Sequence, residues 1–116
     1  MEKYLSDLFS KQHYDENNFF LIAGPCVVES EELIFEVAEK VSGICKKLRI
    51  PYIFKSSYRK ANRTSASSFT GLGDENALQM IKKLANQLSL PTITEIHAHE
   101  EAALAAEYVD VLQIPA

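Results

Sequence analysis

The residues best suited to chemistry lie in one short basic stretch, residues 54–65. It contains Lys55, Arg59, Lys60 and Arg63, which are four of the 12 Lys and Arg residues in a chain whose formal net charge is −4. Arg binds phosphate through a bidentate fork, and Lys binds it as a point charge. The Ser, Thr and Asn side chains between these cations supply directional hydrogen bonds. The stretch therefore predicts a site for a phosphorylated small molecule.

Two other readings of this stretch stand beside that one. Charge runs are usually solvated surface, and a basic loop can also contact nucleic acid. The acidic remainder of the chain leaves no extended basic face to follow a phosphate backbone, which argues against nucleic acid. The stretch directly follows the apolar run 50–54, and α/β proteins place their sites in the loops after parallel strands. Its position therefore favours a site.

Composition places the chain among ordinary globular proteins. With 116 residues, 47% of them hydrophobic and 24% charged, it supports one domain. No run is long enough to predict a membrane-spanning helix, and the acidic N-terminus does not resemble a signal peptide. Cys26 and Cys45 are the two cysteines, without the spacing of a redox motif. We expect no disulfide, no membrane partner and a cytoplasmic location.

Apolar runs alternate with helical patterns along the chain. The predicted strands are residues 19–23, 51–55, 91–94 and 109–114. The predicted helices begin at a Ser30 cap, at an Asp74 cap and near residue 100. Continuous apolar runs of this length are typical of strands buried on both faces in parallel sheets.

The first of these helices carries a long apolar stripe, which we expect to face the core. Its members are Leu33, Ile34, Val37, Ala38, Val41, Ile44, Cys45 and Leu48.

The resulting order, β-α-β-α-β-α-β, predicts a parallel α/β sheet. Even spacing without a Gly-rich dinucleotide motif favours a (β/α) barrel over a Rossmann fold. A complete barrel needs eight strands and about 250 residues. The predicted fold is therefore the N-terminal half of a (β/α)8 TIM barrel. Residues 1–17 form an N-terminal extension, and residues 18–116 form a partial barrel domain truncated after its fourth strand.

Three motifs in this chain resemble the 3-deoxy-D-manno-octulosonate 8-phosphate synthase family, which shares a superfamily with the class I DAHP synthases. They are IAGPCVVES at residues 22–30, FKSSYRKANRTS at 54–65 and DVLQIPA at 110–116. The KANR run within the second motif is the most specific, because the corresponding loop of DAHP synthases usually reads KPRT. The resemblance covers the chain from about Asn18 onward and corresponds to the N-terminal portion of the family's barrel.

The resemblance implies a carbon–carbon bond-forming transferase of lipopolysaccharide biosynthesis. The family condenses phosphoenolpyruvate with D-arabinose 5-phosphate and water, and releases phosphate. It usually assembles as a homotetramer. Two anionic substrates must be brought together, so cations have to offset their repulsion. The basic stretch agrees with that requirement.

On the phosphoenolpyruvate side, the resemblance implies roles for five residues. Lys55 and Lys60 would contact this substrate, with Lys60 between the two substrates and stabilising charge as the bond forms. Ser57 and Gln113 would orient it. The backbone N–H near Ala116 would meet its phosphate.

On the sugar side, the resemblance implies that Asn62 binds hydroxyl groups. Arg63 and Thr64 would hold the phosphate of arabinose 5-phosphate. The family varies at the position of Arg59, which we interpret as surface charge.

Cys26 has a structural reading and a metal-binding one. From the residues alone, a free Cys is usually a buried structural thiol. The resemblance reverses this, because family members with Cys here bind a divalent ion, whereas those with Asn need none. A thiolate suits iron, zinc or similar ions. The family's other ligands lie in later strands, so we expect a divalent metal in a full-length enzyme and none in this chain alone.

His97 lies at a strand end beside Glu95, which makes it a candidate catalytic group, although a lone His is more often structural. The resemblance places His97 and an acid two residues before it near the sugar aldehyde. That acid is Asp in the family and Glu95 here. The extra methylene would move a positioned water by about an ångström and reduce the rate. His13 and His99 are expected on the surface, and Cys45 in the core.

The resemblance leaves the activity of these 116 residues open. We expect the chain alone to be inactive and its fourth strand to be an exposed edge. One alternative is a non-catalytic half barrel that binds a sugar phosphate or a partner chain. Another is a relative of DAHP or sialic-acid synthases.

Overall fold

The structure is a computed structural model that describes residues 2–59 and 73–115. Four helices and four strands occur in these ranges, together with one short 3-10 helix, His99–Glu101. The helices are α1 (Glu2–Leu8), α2 (Glu31–Leu48), α3 (Asp74–Leu88) and α4 (Ala102–Ala106). The strands are β1 (Leu21–Ala23), β2 (Tyr52–Lys55), β3 (Thr92–Glu95) and β4 (Val111–Gln113). No helix in these ranges is both long and apolar enough to cross a membrane.

The four strands form one parallel sheet in the order β1-β2-β3-β4. Each strand pairs with its neighbour in the chain, and a helix lies between consecutive strands. The carboxyl ends of all four strands therefore meet at one edge of the sheet. This confirms the predicted α/β order and is consistent with a partial TIM barrel.

Successive residues of β2 face opposite sides of the sheet, as the strand geometry requires. Tyr52 and Phe54, both fully buried, pack in the larger apolar core with residues of α2 and α3 such as Ile34 and Ile81. Ile53 belongs to a second cluster on the other side. The sheet is covered on both faces at this point, which explains why its sequence is a continuous apolar run.

The N-terminal segment forms that second cluster. Phe9 follows α1, is 1% exposed and packs with Ile53 and Ile93. The centroids of the Phe9 and Phe20 rings are 5.2 Å apart. The sequence predicted an N-terminal extension over residues 1–17, and the structure shows that this segment packs on the face of the sheet opposite α2 and α3.

Gln12 ties the same segment to β2 through its side-chain amide. Its Nε2 donates to the carbonyl oxygen of Tyr52 at 2.9 Å, and its Oε1 accepts from the Tyr52 N–H at 2.8 Å. The pairing of β2 with β3 begins only at Phe54, opposite Thr92. The amide of Gln12 therefore supplies the hydrogen bonds that a longer β3 would have made.

Helix α2 begins as predicted and packs differently from the prediction. The Oγ atom of Ser30 accepts a hydrogen bond from the N–H of Leu33 at 3.1 Å, which is an N-cap. Ile34, Ala38 and Cys45 are buried, so the expected core position of Cys45 is confirmed.

Three other members of the predicted stripe are exposed: Leu33, Ile44 and Leu48. The prediction was wrong for them, because the eight apolar residues span a wider arc than the face of α2 that contacts the sheet and α3.

The predicted Asp74 cap is also wrong. Gly73 is the N-cap residue of α3, with a φ of 102° that favours glycine. Asp74 is the first residue of the helix, and its carboxylate accepts a hydrogen bond from Arg59 Nη2 at 2.8 Å.

Candidate active site

A pocket of about 510 Å³ opens where β1, β2 and β3 end. Its lining combines the GPC motif after β1 with polar residues from the other two strand ends. The lining residues are Ile22, Ala23, Gly24, Pro25, Cys26, Lys55, Ser57, Arg59, Glu95 and His97. Five of the predicted site residues therefore border one cavity: Cys26, Lys55, Ser57, Glu95 and His97. Sites of α/β barrels lie at this end of the strands.

The chain after β1 is held close to the chain after β2. Ser57 donates its N–H to the carbonyl of Cys26 at 3.2 Å, and its own carbonyl accepts from the N–H of Val28 at 3.0 Å. Gly24 lies so close to β2 that a Cβ atom there would overlap the carbonyl oxygen of Lys55. The glycine thus allows the close approach, and the two hydrogen bonds fix Cys26 beside Ser57.

Lys55 and Glu95 form an ion pair across the ends of β2 and β3. The Nζ atom of Lys55 lies 3.2 Å from Oε1 of Glu95, and the two side chains are 31% and 24% exposed. The longer acid at position 95 thus reaches the neighbouring strand's lysine.

His97 lies two residues after β3, with its Nε2 atom buried and without a hydrogen-bond partner among the described residues. Its backbone N–H donates to Glu101 Oε1 at 3.4 Å. The ring stands edge-on to that of Tyr58, with 6.0 Å between centroids. His13 and His99 are exposed, as predicted.

Arg59, which the sequence predicted to be a surface charge, keeps 42% of its side chain exposed. It also lines the pocket and pairs with two acids. Its Nη2 lies 2.8 Å from Asp74 Oδ2 and 3.6 Å from Glu101 Oε2. The hydrogen bond to Asp74 is the main reason why the pKa of Arg59 is raised.

Tyr58 and Glu101 were missed by the sequence reading. Tyr58 is 1% exposed and donates its hydroxyl to Glu101. Burial raises the pKa of Tyr58, and the hydrogen bond to Glu101 adds to that effect. Burial alone would raise the pKa of Glu101, but hydrogen bonds from Tyr58 and the His97 N–H, with the charge of Arg59, lower it below its ordinary value. The available signals were an aromatic residue three positions after the end of β2 and an acid four residues after His97.

Gln113 lies on β4 and is not among the residues that line the pocket. It is paired with Glu95 in the sheet, and its carbonyl accepts from the N–H of Ile96 at 3.1 Å. Five further predicted site residues lie outside the described residues: Lys60, Asn62, Arg63, Thr64 and Ala116.

The charges around the described part of the pocket are nearly balanced. Each of the two lining cations, Lys55 and Arg59, has a carboxylate within 3.2 Å. A phosphate bound here would therefore compete with Glu95 or Asp74 for these cations. In the sequence, the additional cations Lys60 and Arg63 directly follow this part of the chain.

Cys26 is exposed in the pocket as a free thiol. A thiolate suits a soft or borderline divalent ion. In residues 2–59 and 73–115, no three His, Cys, Asp or Glu side chains cluster closely enough to hold a metal ion. The described residues thus do not complete a metal site, which would need further ligands from elsewhere.

The amino-acid sequence of this chain is similar to those of known proteins. The family model described as the DAHP synthetase I family matches residues 11–116. The chain is similar to 2-dehydro-3-deoxyphosphooctonate aldolases from several bacteria. That of Koribacter versatilis (strain Ellin345) is 55% identical over 97 residues, which are 84% of this chain and 35% of the relative.

Two further relatives carry the same name. That of Paraburkholderia xenovorans (strain LB400) is 52% identical over 98 residues, covering 84% of this chain and 34% of the relative. That of Cyanothece sp. (strain PCC 7425 / ATCC 29141) is 49% identical over 102 residues, covering 88% and 37%. The chain spans about a third of the length of these relatives. With a family model that matches nearly all of its residues, the chain belongs to the DAHP synthetase I family.

Proposed function

We propose that this chain supplies one wall of the active site of a 3-deoxy-D-manno-octulosonate 8-phosphate synthase. The reaction condenses phosphoenolpyruvate with D-arabinose 5-phosphate and water, and releases phosphate. The observation that carries the proposal is the meeting of Cys26, Lys55, Ser57, Glu95 and His97 around one pocket. The resemblance in sequence to aldolases that bear the alternative name of this enzyme supports it.

The residues divide between the two substrates. Lys55 and Ser57 would contact phosphoenolpyruvate, with Lys60, Gln113 and the backbone near Ala116. Lys55 would exchange part of its interaction with Glu95 for the substrate's negative charge.

On the sugar side, Asn62 would bind hydroxyls, and Arg63 and Thr64 the phosphate. As the new carbon–carbon bond forms, Lys60 would stabilise the developing charge.

Glu95 and His97 are the proposed groups for proton handling. Both line the pocket at the end of β3. His titrates near neutral pH and serves as a general acid or base, whereas a carboxylate can orient the attacking water. Water would add to C2 of phosphoenolpyruvate and lose a proton, while C3 of phosphoenolpyruvate attacks the aldehyde carbon of the sugar and the aldehyde oxygen gains a proton. The C2–O bond to the phosphate group then breaks, which releases phosphate.

We propose that the complete enzyme is of the metal-dependent type, with Cys26 as one ligand. The exposed thiol at the strand end supports this. When bound, the ion would act as a Lewis acid that polarises a substrate oxygen.

Metal analysis of the purified complete protein tests this proposal. Cys26→Ser should lower the amount of divalent ion bound per protein at least tenfold, whereas Cys45→Ser, in the core, should leave that amount unchanged. A homotetramer and a cytoplasmic location remain predictions.

The deciding experiment measures phosphate release by the complete protein that carries this chain. Arabinose 5-phosphate should support turnover with phosphoenolpyruvate, and erythrose 4-phosphate and N-acetylmannosamine should not. His97→Ala should reduce kcat at least 100-fold, whereas His99→Ala, at an exposed position, should leave it within twofold.

Other outcomes assign the chain differently. Turnover with erythrose 4-phosphate would make it a DAHP synthase. Turnover with N-acetylmannosamine would make it a sialic-acid synthase. Saturable binding of arabinose 5-phosphate without turnover, lost in Arg63→Ala, would favour the non-catalytic half barrel.

A further inference from the structure

One carboxylate joins the chain after β2 to the chain after β3. Glu101 ends the 3-10 helix His99–Glu101, and its side chain is 16% exposed. Its Oε1 accepts from the Tyr58 hydroxyl and from the His97 N–H. Its Oε2 lies 3.6 Å from Arg59 Nη2. Three groups from two loops therefore converge on Glu101.

The partners of Glu101 are unequal. Arg59 makes its shorter contact, 2.8 Å, with Asp74, so it is held in place without Glu101. Tyr58 is buried, and a buried hydroxyl or carboxylate that loses its partner is costly to the fold. The bond between Tyr58 and Glu101 is therefore the principal link between the two loops.

This link acts on His97 at two points. Glu101 accepts the hydrogen bond from its backbone N–H. Tyr58, held by the same carboxylate, packs against the imidazole in a T-shaped arrangement. The Nε2 atom of the imidazole has no hydrogen-bond partner among the described residues. Within residues 2–59 and 73–115, backbone anchoring and ring packing are therefore the contacts that hold the imidazole at the pocket.

We propose that Glu101 is a positioning residue, which acts with Tyr58 to fix His97 at the pocket. Neither Glu101 nor Tyr58 is among the residues that line the pocket. The consequence for catalysis rests on the proposed function, whereas the link itself does not. Because displacement of a reacting group by about 1 Å can reduce a rate about 100-fold, loss of the link should lower kcat with little effect on substrate affinity.

The test compares four variants of the complete protein by two readouts. The variants are Glu101→Ala, Glu101→Gln, Tyr58→Phe and the matched control Glu100→Ala, whose exposed carboxylate contacts only His99 among the described residues. Amide hydrogen exchange reports the anchoring of the His97 N–H, and steady-state kinetics with phosphoenolpyruvate and arabinose 5-phosphate report positioning.

In Glu101→Ala, exchange at His97 should accelerate about tenfold, and kcat should fall at least tenfold with KM within twofold. Glu101→Gln keeps an acceptor oxygen, so its His97 exchange rate and its kcat should both be close to those of the wild type. Glu100→Ala should match the wild type. If Glu101→Ala does not fold, Tyr58→Phe replaces it in the test, because this variant loses only a hydroxyl. The proposal then requires faster exchange at His97 and a lower kcat in Tyr58→Phe.

Unchanged His97 exchange in both Glu101→Ala and Tyr58→Phe would overturn the proposal, as would equal effects in Glu100→Ala. A fall in kcat accompanied by a proportionate rise in KM would also overturn it, since that pattern indicates lost binding rather than lost positioning. If the wild type turns over none of the sugar substrates, the proposed function fails. The exchange measurement still decides whether Glu101 anchors His97.

Discussion

Lys55 Nζ and Glu95 Oε1 lie 3.2 Å apart and connect the ends of two neighbouring strands inside the pocket. Both side chains are more than two-thirds buried, so the pair is less screened than a surface ion pair. The sequence assigned Lys55 to substrate binding and Glu95 to catalysis. In the structure the two side chains restrain each other before any substrate binds.

The first prediction concerns this pair. A double-mutant cycle of Lys55→Gln and Glu95→Gln should give a coupling free energy of about 0.5–1 kcal/mol, after allowance for partial solvent exposure. Urea unfolding of the four proteins measures it. The same cycle on Lys3 and Asp7, whose side chains are 90% and 72% exposed, should give a smaller value. Equal coupling in the two cycles contradicts the expected contribution of burial.

The second prediction concerns Gly24. Because a Cβ at this position would overlap the Lys55 carbonyl oxygen, Gly24→Ala should lower the free energy of unfolding by about 3 kcal/mol or prevent folding. Gly43 is the matched control. It lies within α2 with no heavy atom near its would-be Cβ, so Gly43→Ala should raise stability by about 0.5–1 kcal/mol. Thermal unfolding of both variants tests whether the first loses stability and the second gains it.

The third prediction concerns Gln12. In Gln12→Ala the N–H and carbonyl of Tyr52 lose their partners, which should cost about 1–3 kcal/mol of unfolding free energy. Faster amide exchange at Tyr52 should accompany the loss. Lys11→Ala, at the exposed neighbouring position, should change stability by less than about 0.5 kcal/mol. A neutral Gln12→Ala would mean that water replaces the amide.

The fourth prediction concerns acid stability. The pKa of Glu101 is lower in the folded chain than its ordinary value, so the charged form stabilises the fold. That contribution is complete above the unfolded pKa, which is about 4.3 for Glu, and is lost as the pH falls through the folded value. The groups that face Glu101 are Tyr58, Arg59 and His97.

Unfolding free energies between pH 7 and pH 3 should therefore fall less steeply in Glu101→Gln than in the wild type. Glu100→Gln, at an exposed position, should follow the wild-type curve. Parallel curves for the wild type and Glu101→Gln would exclude the contribution of this carboxylate.

Much of the fold was predictable because β1 and most of β2 are continuous apolar runs and helical patterns separate the predicted strands. Ala23, Lys55 and Glu95 end their strands close to where the sequence pattern placed them, and parallel pairing then brings those ends together. The meeting of Cys26 and His97 at one pocket follows from that geometry.

The remaining features depend on contacts that no local pattern encodes. The short helix α1 is below the length at which helices are stable alone, and its segment is held by the burial of Phe9. Tyr58 and Glu101 are 43 residues apart, so their contact depends on how two loops pack. Asp is a residue type that often caps helices, which is why the sequence predicted Asp74 as a cap. In the structure the Asp74 carboxylate binds Arg59. Gly73 occupies the N-cap position, where its φ is positive.

The agreement between strand order and chain order has a consequence for synthesis on the ribosome. Each strand from β2 onward leaves the exit tunnel when the preceding strand, with which it pairs, is already outside. The sheet can therefore grow one strand at a time from its amino-terminal side, without waiting for distant sequence. Pauses in translation after β2 or β3 should leave nascent chains in which the completed strand pairs already resist proteolysis.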